Sequence, residues 1–509
     1  MKTFLLTFFL LIQISGISGQ NTFEKNFNLP DFKSTDSGLN IISDSMDLLL
    51  RGITSCKKGD TVYVCDALLK TDELGDEKWL KFYDLTFPYS LTIREMKTLD
   101  GGGYIVSGEA GSPSFGGGWM PCLMKLDESG DTIWFKCFDD IDKDFGIHLE
   151  VLGNGKILLQ GTGKTGTNEI HAFVLKANEN GEKVWDTIID IGAPRFRGGD
   201  FAVISNGDLV LGYKSSPLSN QESLALTRTD SLGNVIWTKI LQTNESDNYC
   251  QAYMTPLLNG GFVLGYCDPD WDVGDILVHL FGTDSLGNLE WEYVFPKRSP
   301  RLRRLITASN GDIIGCGIQK IEEGVTGDYG FIFRMTQEGE LLWKRAYQPE
   351  QPVPIDIFSE LNDVIETPDG GIAAIGTMID SLPDSSSWSL DVWLLKVDAD
   401  GCLTPGCTDS IVTATVERRG RVLHSGRQVF FRLWPNPVSG EAQLAFYQPA
   451  PPGTRLRVFN AQGLPVAQQE VPPGSDSANL DFSGLPPGLY LVQYLRQGRV
   501  LQVEKVVKE

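Results

Sequence analysis

Between residues 230 and 237 the chain reads Asp-Ser-Leu-Gly-Asn-Val-Ile-Trp, and residues 284–291 repeat this as Asp-Ser-Leu-Gly-Asn-Leu-Glu-Trp. Asp or Asn followed by Gly tolerates the positive φ angles of tight turns, and the Asp side chain can bond the amides of its own turn. Alternating apolar residues flank such turns, as in Gly261–Tyr266, which is typical of strands. The motif therefore predicts a β-hairpin.

The motif recurs roughly every 52 residues, a period typical of propellers and solenoids. Its copies, given as turn residue, Gly and Trp, are Asp72/Gly75/Trp79, Asp127/Gly130/Trp134, Asn178/Gly181/Trp185, Asp230/Gly233/Trp237, Asp284/Gly287/Trp291, Thr336/Gly339/Trp343 and Asp398/Gly401, where Pro405 replaces Trp. A second turn precedes six of them, at Asp100-Gly101, Asn154-Gly155, Asn206-Gly207, Asn259-Gly260, Asn310-Gly311 and Asp369-Gly370. In the first copy we expect Lys58-Gly59 to take this place.

Two hairpins per copy predict a four-stranded antiparallel sheet, with the repeated Trp packed between neighbouring sheets. The sequence therefore predicts an all-β, seven-bladed β-propeller over residues 20–410. The last copy stops at Cys402–Cys407 without a fourth strand, and Thr22–Phe27 resembles the missing strand. We expect this segment to close the ring. The first copy is irregular, so six blades plus an irregular one is the alternative.

The N-terminus predicts export from the cytoplasm. Lys2 precedes the apolar run Phe4–Ile12, and small residues follow at Ser15–Gly19. This order is typical of a secretory signal peptide, here residues 1–19. A transmembrane anchor, which needs about 20 apolar residues, is the less favoured alternative, and no later segment is apolar enough to span a bilayer.

The nine cysteines agree with an oxidising compartment. Pairs that flank a predicted turn at equal distance lie opposite each other on antiparallel strands, within disulfide range. The predicted bonds are Cys56–Cys65, Cys122–Cys137, Cys250–Cys267 and, around a short loop, Cys402–Cys407. Cys316 is left as a buried free thiol, and scarce His makes metal binding the weaker interpretation.

After a linker at residues 411–429, short alternating strands separated by Pro-Pro-Gly turns predict a small Ig-like β-sandwich at residues 430–509. The predicted strands are Gln443–Tyr447, Arg455–Asn460, Ala478–Phe482, Leu489–Leu495 and Arg499–Val507. The region contains Leu433-Trp-Pro-Asn-Pro437, Val458–Gly463, Leu485–Val492 and a basic end.

This ordered set resembles the type A C-terminal sorting domain of the type IX secretion system of Bacteroidetes. The residues that carry the resemblance are Pro435, Asn436, Pro437, Gly488, Tyr490, Lys505 and Lys508. It implies the type IX secretion machinery as a partner and a secreted, extracellular or outer-membrane-surface location. It also implies removal of the sorting domain and attachment to surface lipopolysaccharide.

The charge balance argues against nucleic acid as a partner. The chain has 44 basic and 66 acidic residues, a net charge of −22, with 41% hydrophobic residues. The region before Glu417 carries most of the negative charge, whereas residues 417–509 are net basic. An acidic body repels the phosphate backbone.

No catalytic or cofactor-binding motif is found. The four histidines, His148, His171, His279 and His424, lie in no nucleophile or metal motif. One acidic loop could collect oxygen ligands for Ca²⁺ through Asp268, Asp270, Asp272 and Asp275. Val273 stands where such a loop needs Gly and the distal Glu is missing, so a solvated loop is the favoured interpretation.

Variable loops on one face of a rigid scaffold are the usual place for binding. On this face Phe115, Trp119, Trp271 and Trp388 could stack on sugar rings. Arg301, Arg303 and Arg304 belong to the basic connector Lys297–Arg304, which could hold an anionic polymer. The alternatives are that these aromatics only anchor their loops and that neighbouring acids neutralise the bases.

The sequence therefore favours a secreted or cell-surface propeller that binds a glycan or protein, or serves adhesion or display, without catalysis. The first alternative is an extracellular carbohydrate-active enzyme, a lyase or glycosidase that uses loop-face carboxylates such as Asp139, Asp140, Asp142 and Asp144. The second is a purely structural surface component.

Overall fold

A computed structural model describes residues 20–27, 29, 36–58, 61–83, 91–111, 119–138, 148–153, 155–165, 169–191, 196–215, 221–245, 251–270, 275–295, 300–320, 327–349, 357–381, 388–404, 406–407, 411–413, 431–434, 437–446, 449–460, 464–496 and 499–508. The chain forms two compact bodies: an N-terminal body of residues 1–350 and 355–417, and a C-terminal body of residues 351–354 and 418–509. The regular structure of the described residues consists of strands. The predicted signal peptide lies outside them.

The N-terminal body begins with β1 (Phe23–Phe27) and continues with seven units of three or four strands. The first four units are β2 (Ser37–Asp44), β3 (Asp47–Lys58), β4 (Thr61–Thr71), β5 (Glu77–Tyr83); β6 (Leu91–Thr98), β7 (Tyr104–Gly111), β8 (Trp119–Leu126), β9 (Thr132–Cys137); β10 (His148–Val151), β11 (Ile157–Thr165), β12 (Glu169–Ala177), β13 (Lys183–Ile189); and β14 (Phe196–Val203), β15 (Leu209–Ser215), β16 (Gln221–Thr229), β17 (Val235–Glu245). The others are β18 (Tyr253–Pro256), β19 (Phe262–Asp270), β20 (Asp275–Thr283), β21 (Leu289–Val294); β22 (Arg301–Thr307), β23 (Ile313–Lys320), β24 (Gly327–Met335), β25 (Leu341–Gln348); and β26 (Ile357–Glu366), β27 (Ile372–Ser381), β28 (Trp388–Val397).

Each unit is an antiparallel sheet whose strands pair in chain order, and β1 supplies the fourth strand of the last one. The first strands of the units contact one another in a closed ring, from β2 through β6, β10, β14, β18, β22 and β26 back to β2. Sheets arranged radially around such a ring form a β-propeller. The predicted all-β propeller is therefore confirmed.

The N-terminal segment closes this ring. β1 pairs antiparallel with β28, with Phe23 opposite Lys396. The side chain of Gln20 accepts a hydrogen bond from the backbone N–H of Ala399 at 2.9 Å and donates one to the carbonyl of Asp369 at 3.1 Å. The first and last strands of the propeller therefore lie in one sheet.

The repeated motif performs two tasks in the structure. The Asp230 carboxylate accepts the backbone N–H groups of Leu232 and Asn234, both at 2.9 Å, and Gly233 has a φ of 89°. In most units the tryptophan packs over the turn glycine of the next unit: a Cβ added to Gly287 would lie 2.7 Å from Trp237, whereas Thr187 takes this place over Gly233. The glycine is thus required by its φ and by this close approach.

The first unit departs from the expectation. Lys58-Gly59 lies between the second and third strands, because β3 ends at Lys58, while the turn between β2 and β3 is formed by Ser45-Met46. Ser45 takes a positive φ of 58°, so this turn has no glycine to reveal it. β4 is one continuous strand, and the unit has four strands.

Three of the predicted disulfides are present. Cys122 and Cys137 lie directly opposite each other, and Cys402 is bonded to Cys407. The Cys56–Cys65 bond is diagonal, because Cys65 lies opposite Thr54. Cys250 lies outside the described residues, so its bond to Cys267 stays a prediction, whereas Cys316 is buried and free as expected.

The C-terminal body consists of two packed sheets. Their strands are β30 (Phe431–Trp434), β31 (Glu441–Phe446) and β34 (Ser477–Asp481) in one sheet, and β32 (Thr454–Asn460), β33 (Pro465–Glu470), β35 (Gly488–Arg496) and β36 (Arg499–Lys508) in the other. Leu444 and Leu480 from the first sheet share a core with Val458 and Val492 from the second. The sequence missed β30 and β33, and the Ig-like topology stays a prediction.

The predicted linker begins with a strand. β29 (Ile411–Thr413) pairs parallel with the outer edge of β25, with Ala346 opposite Ile411. The propeller sheet that contains β25 thereby gains an added strand from the segment that follows the propeller.

Candidate functional site

The first strands of the seven units place a ring of mostly polar residues at the propeller axis. In five units the ring residue stands six positions before the turn Asn or Asp, as with residues 148 and 154, or 304 and 310. In β6, Glu95 takes this place opposite Ser107, and in β2 Asn40 takes it opposite Arg51. The ring consists of Asn40, Glu95, His148, Asp200, Tyr253, Arg304 and Asp363.

Arg304 joins this ring across the axis. Its Nη2 lies 3.3 Å from Glu95 Oε1, its Nη1 lies 3.8 Å from Asp200 Oδ1, and its Nε lies 3.3 Å from Asp363 Oδ1. The three carboxylates belong to the second, fourth and seventh units. One guanidinium therefore connects four of the seven units, and we call Arg304 with these three carboxylates the axial cluster.

The same carboxylates also hold neighbouring units together. In each case the second oxygen accepts a backbone N–H from the next unit around the ring. The pairs are Glu95 Oε2 with Leu149 N at 2.7 Å, Asp200 Oδ2 with Met254 N at 2.9 Å, and Asp363 Oδ2 with Ile41 N at 3.0 Å. All three carboxylates are buried, and both oxygens of each take part in contacts that hold the ring.

His148 and Lys97 complete the charges around the cluster. The Nδ1 atom of His148 lies 3.1 Å from Asp200 Oδ1 and 3.7 Å from Glu95 Oε2. Lys97 Nζ lies 3.6 Å from Glu95 and 3.1 Å from Glu150. The imidazole thus bridges the carboxylates of two units that flank its own.

The environment moves the pKa values of the cluster in opposite directions. Burial alone would raise the pKa of Glu95, but Lys97, Arg304, His148 and the Leu149 amide together lower it to about 2. For Asp363 burial outweighs the charge of Arg304, so its pKa is raised.

Two neighbouring groups are held neutral. Burial raises the pKa of Tyr253 to about 12, although Arg303 lowers it. Burial likewise raises the pKa of the Cys316 thiol far above its ordinary value, with Asp363 adding to the effect. A thiol without thiolate character is a poor nucleophile, so Cys316 is suited to packing.

The pKa of Glu95 predicts an acid-dependent loss of stability. A carboxyl whose folded pKa lies below its ordinary value stabilises the fold above that ordinary value and loses this effect as the pH falls through the folded pKa. We expect Glu95→Gln to lower the free energy of unfolding at pH 6, and the difference from the wild type to shrink between about pH 4.5 and about pH 2. Denaturant unfolding measured across this pH range tests it.

The control for this measurement is Asp131→Asn, which removes a largely exposed carboxylate paired with Lys81 on the same body. It should change the unfolding free energy little at any pH. A constant difference between wild type and Glu95→Gln from pH 6 to pH 2 would contradict the prediction.

β-bulges set a second layer of polar residues next to the ring. In β6, β22 and β26 the pairing skips Arg94, Arg303 and Asn362, respectively. Opposite the first bulge stands Gly108, whose added Cβ would lie 2.6 Å from the carbonyl of Thr92. Because Gly108 has no side chain, the backbone of β6 can approach it closely. Bulges of this kind change the direction in which side chains point and are common next to active sites.

Both bulge arginines are held by glutamates. Arg94 Nη2 lies 3.0 Å from Glu109 Oε2, and Arg303 Nη2 lies 3.1 Å from Glu360 Oε2. Asn362 donates to the carbonyl of Gly38 at 2.9 Å. This layer is therefore fixed by hydrogen bonds before any ligand arrives.

The candidates from sequence are dispersed in the structure. Arg304 is part of the axial cluster, Arg303 belongs to the bulge layer, and Arg301 opens β22. Trp119 opens β8 and is half-buried. Trp388 opens β28 but its side chain lies outside the described residues, as do Phe115 and Trp271 entirely.

The acidic candidates remain untested. Asp268 and Asp270 lie on β19 and Asp275 on β20, with Asp270 opposite Asp275, but their side chains lie outside the described part, as does Asp272 entirely. Among the described residues no group of His, Cys, Asp or Glu could hold a metal ion. The carboxylates Asp139, Asp140, Asp142 and Asp144 also lie outside the described ranges.

The residues that resemble a sorting motif have structural contacts where they are described. The Tyr490 hydroxyl donates to the carbonyl of Pro486 at 2.7 Å, and Lys508 Nζ donates to that of Ser439 at 2.7 Å. Gly488 opens β35 and Lys505 is exposed on β36, while Pro437 is described and Pro435 and Asn436 are not.

Residues 432–509 match the family model of the secretion system C-terminal sorting domain. The C-terminal body therefore carries a type IX sorting domain, as the sequence predicted. Such a domain directs the protein through the type IX machinery to the cell surface or the extracellular space, and the disulfides agree with that location. None of the described residues forms a helix able to cross a membrane.

Several solved structures are distantly similar to the chain. An α-L-arabinofuranosidase from Fusarium graminearum is 12% identical, with 60% of this chain and 93% of that chain covered and a TM-score of 0.37. The NanB sialidase from Streptococcus pneumoniae is 12% identical over 77% and 71%, with a TM-score of 0.39. The WD40 domain of SCAP from fission yeast is 10% identical over 74% and 99%, with a TM-score of 0.37.

These TM-scores are too low to assign an activity. No curated protein matches the sequence.

Proposed function

We propose that this exported propeller is a non-catalytic binding module displayed at the cell surface, where it holds a glycan or protein ligand on its loop face. The proposal includes attachment to surface lipopolysaccharide after sorting, which the sorting domain implies. Calcium in the Asp268–Asp275 loop remains a minor part of the proposal.

The axial cluster carries this proposal. A catalytic acid or base needs a free oxygen or nitrogen aimed at a substrate. Glu95, Asp200 and Asp363 instead accept backbone amides from neighbouring units and share Arg304. This group of buried ionisable side chains thus holds the ring together, which favours binding over chemistry.

A polysaccharide panel tests the proposal. The full chain is expected to be retained by at least one polysaccharide in affinity electrophoresis while it releases neither reducing ends nor unsaturated sugars from any of them. The control is the same protein after thermal unfolding. Product release by the native chain would contradict the non-catalytic proposal, and absence of retention by every polysaccharide and protein ligand tried would contradict the binding proposal.

A further inference from the structure

We infer that Arg94 of the second unit and Arg303 of the sixth unit, next to the axial ring, bind acidic sugars of an anionic polysaccharide, with Trp119 as the stacking residue. We call these three residues the arginine site. The inference rests on the proposed binding function and specifies its ligand class. Carboxylated and sulfated sugars share the chemistry involved, because both present a planar or trigonal set of anionic oxygens to a guanidinium.

Each arginine is oriented in advance by a carboxylate that lies behind it. The side chain of Arg94 is 38% exposed while that of Glu109 is 4% exposed, and the corresponding values are 36% for Arg303 and 16% for Glu360. The glutamates are therefore withdrawn from solvent and the guanidinium groups are the parts that a ligand meets. A guanidinium fixed before binding loses less conformational entropy when it engages an anion.

Each guanidinium also retains donors. A guanidinium has five N–H groups, and each of these two contacts its glutamate through Nη2 alone among the contacts described. The Nε atoms of Arg94 and Arg303 have no hydrogen-bond partner among the described residues. Among the contacts described, the glutamates therefore leave further N–H groups on the Nη atoms of both arginines for an anionic ligand.

The two arginines are the chain neighbours of two residues that meet across the axis. Arg94 and Arg303 directly precede Glu95 and Arg304, and Arg304 Nη2 reaches Glu95 Oε1 at 3.3 Å. The Arg304 side chain thus spans the distance between the sixth and second units at the level of the ring. Two fixed cations on two different units suit a ligand with anionic groups on more than one sugar.

Trp119 lies on the same face of its sheet as Glu109. Glu109 is opposite Pro121 and Gly111 is opposite Trp119, so Trp119 stands two residue pairs nearer to the loop edge. Among the described residues, nothing lies within 4 Å of a Cβ added to Gly111, the residue opposite Trp119. An aromatic side chain next to open space can stack on the apolar face of a sugar ring.

Arg304 is excluded from the arginine site, because its three nitrogens already face three carboxylates. The net charge of −22 gives the chain no long-range attraction for anions. Binding must therefore arise from short-range contacts at these arginines, which salt screens less than long-range interactions.

The test uses the full chain with polygalacturonate as the carboxylated probe, dextran sulfate as the sulfated probe and unmodified dextran as the neutral one. We expect the wild type to bind at least one anionic probe and not dextran in affinity electrophoresis. The double variant Arg94→Gln/Arg303→Gln should weaken that binding at least tenfold, each single variant less, and Trp119→Ala should weaken it severalfold.

The matched control is Lys78→Gln, which removes one exposed cation of the same body that is paired with Asp47 outside the axis. It should leave affinity unchanged. Because Arg303→Gln leaves Glu360 without its partner, Arg303→Lys serves as a second variant that keeps the charge and the fold. It should still weaken binding, since an ammonium does not offer the planar fork of a guanidinium.

The possible outcomes separate this inference from the proposed function. Binding of only polygalacturonate or only dextran sulfate supports the inference and identifies the anionic group. Unchanged affinity in the folded double variant, or an equal loss in Lys78→Gln, overturns it. Retention by dextran or another neutral polysaccharide alone overturns the arginine site and leaves the proposed binding function intact.

Discussion

Replacing Arg304 with methionine is expected to lower the free energy of unfolding of the propeller by about 3–5 kcal/mol, the usual cost of removing one partner from a buried ion pair. The variant would leave Glu95, Asp200 and Asp363 facing one another without their shared cation. Burial already raises the pKa of Asp363, and loss of the guanidinium would raise it further. Denaturant unfolding followed by tryptophan fluorescence measures the effect.

A matched control and a rescue make this result specific. Lys78→Met removes a cation that is 48% exposed and paired with Asp47, so it should cost less than about 1 kcal/mol. Adding Asp363→Asn to Arg304→Met should recover part of the loss, because one fewer charge is left uncompensated. A cost for Arg304→Met no larger than that of Lys78→Met would show that the axial cluster does not stabilise the ring.

Replacing Phe23 with alanine is expected to be the most damaging change outside the axis. Phe23 packs over Gly75 of the first unit, where an added Cβ would lie 2.6 Å from its ring. The tryptophans of other units occupy the corresponding place over the next turn glycine, as Trp79 does over Gly130. The substitution should cost about 3 kcal/mol, as truncations of packed aromatic residues do, and should open the ring at its closing sheet.

Phe23→Trp is the matched variant, since it installs the residue that other units use, and its unfolding free energy should remain close to that of the wild type. Lys25→Met serves as the control on the same strand, because it removes only an exposed ion pair with Asp76. Hydrogen exchange of β28 amides gives the second measurement: Phe23→Ala should speed it, and unchanged exchange together with unchanged stability would refute the closing role.

The sequence predicted the propeller well because its turns are local. The Asp230–Gly233 turn needs only the Asp230 side chain and the positive φ of Gly233, so a stretch of four residues is enough to predict it. The first unit was misread for the same reason: Ser45 adopts the positive φ that glycine adopts elsewhere. A hairpin without the expected residue type has no local signal.

The axial cluster was not predicted because its contacts join residues far apart in the chain. Arg304 and Glu95 are separated by 209 positions, and each looks like an ordinary surface charge in its own strand. A usable signal does exist. Alignment of the copies on their second turn places His148, Asp200, Tyr253, Arg304 and Asp363 in one column, where polar residues replace the apolar ones expected of an inner strand.

The axial cluster also makes the fold depend on the number of repeats. Contacts of the type made by Trp237 over Gly287 join only neighbours, so a chain with one copy more or fewer could still form them throughout. The reach of Arg304 to units two, four and seven depends on the diameter of the ring and on the angle between units. If a single copy were duplicated or lost, Arg304 would therefore no longer meet its three carboxylate partners. The loss of these central ion pairs would destabilise the altered ring.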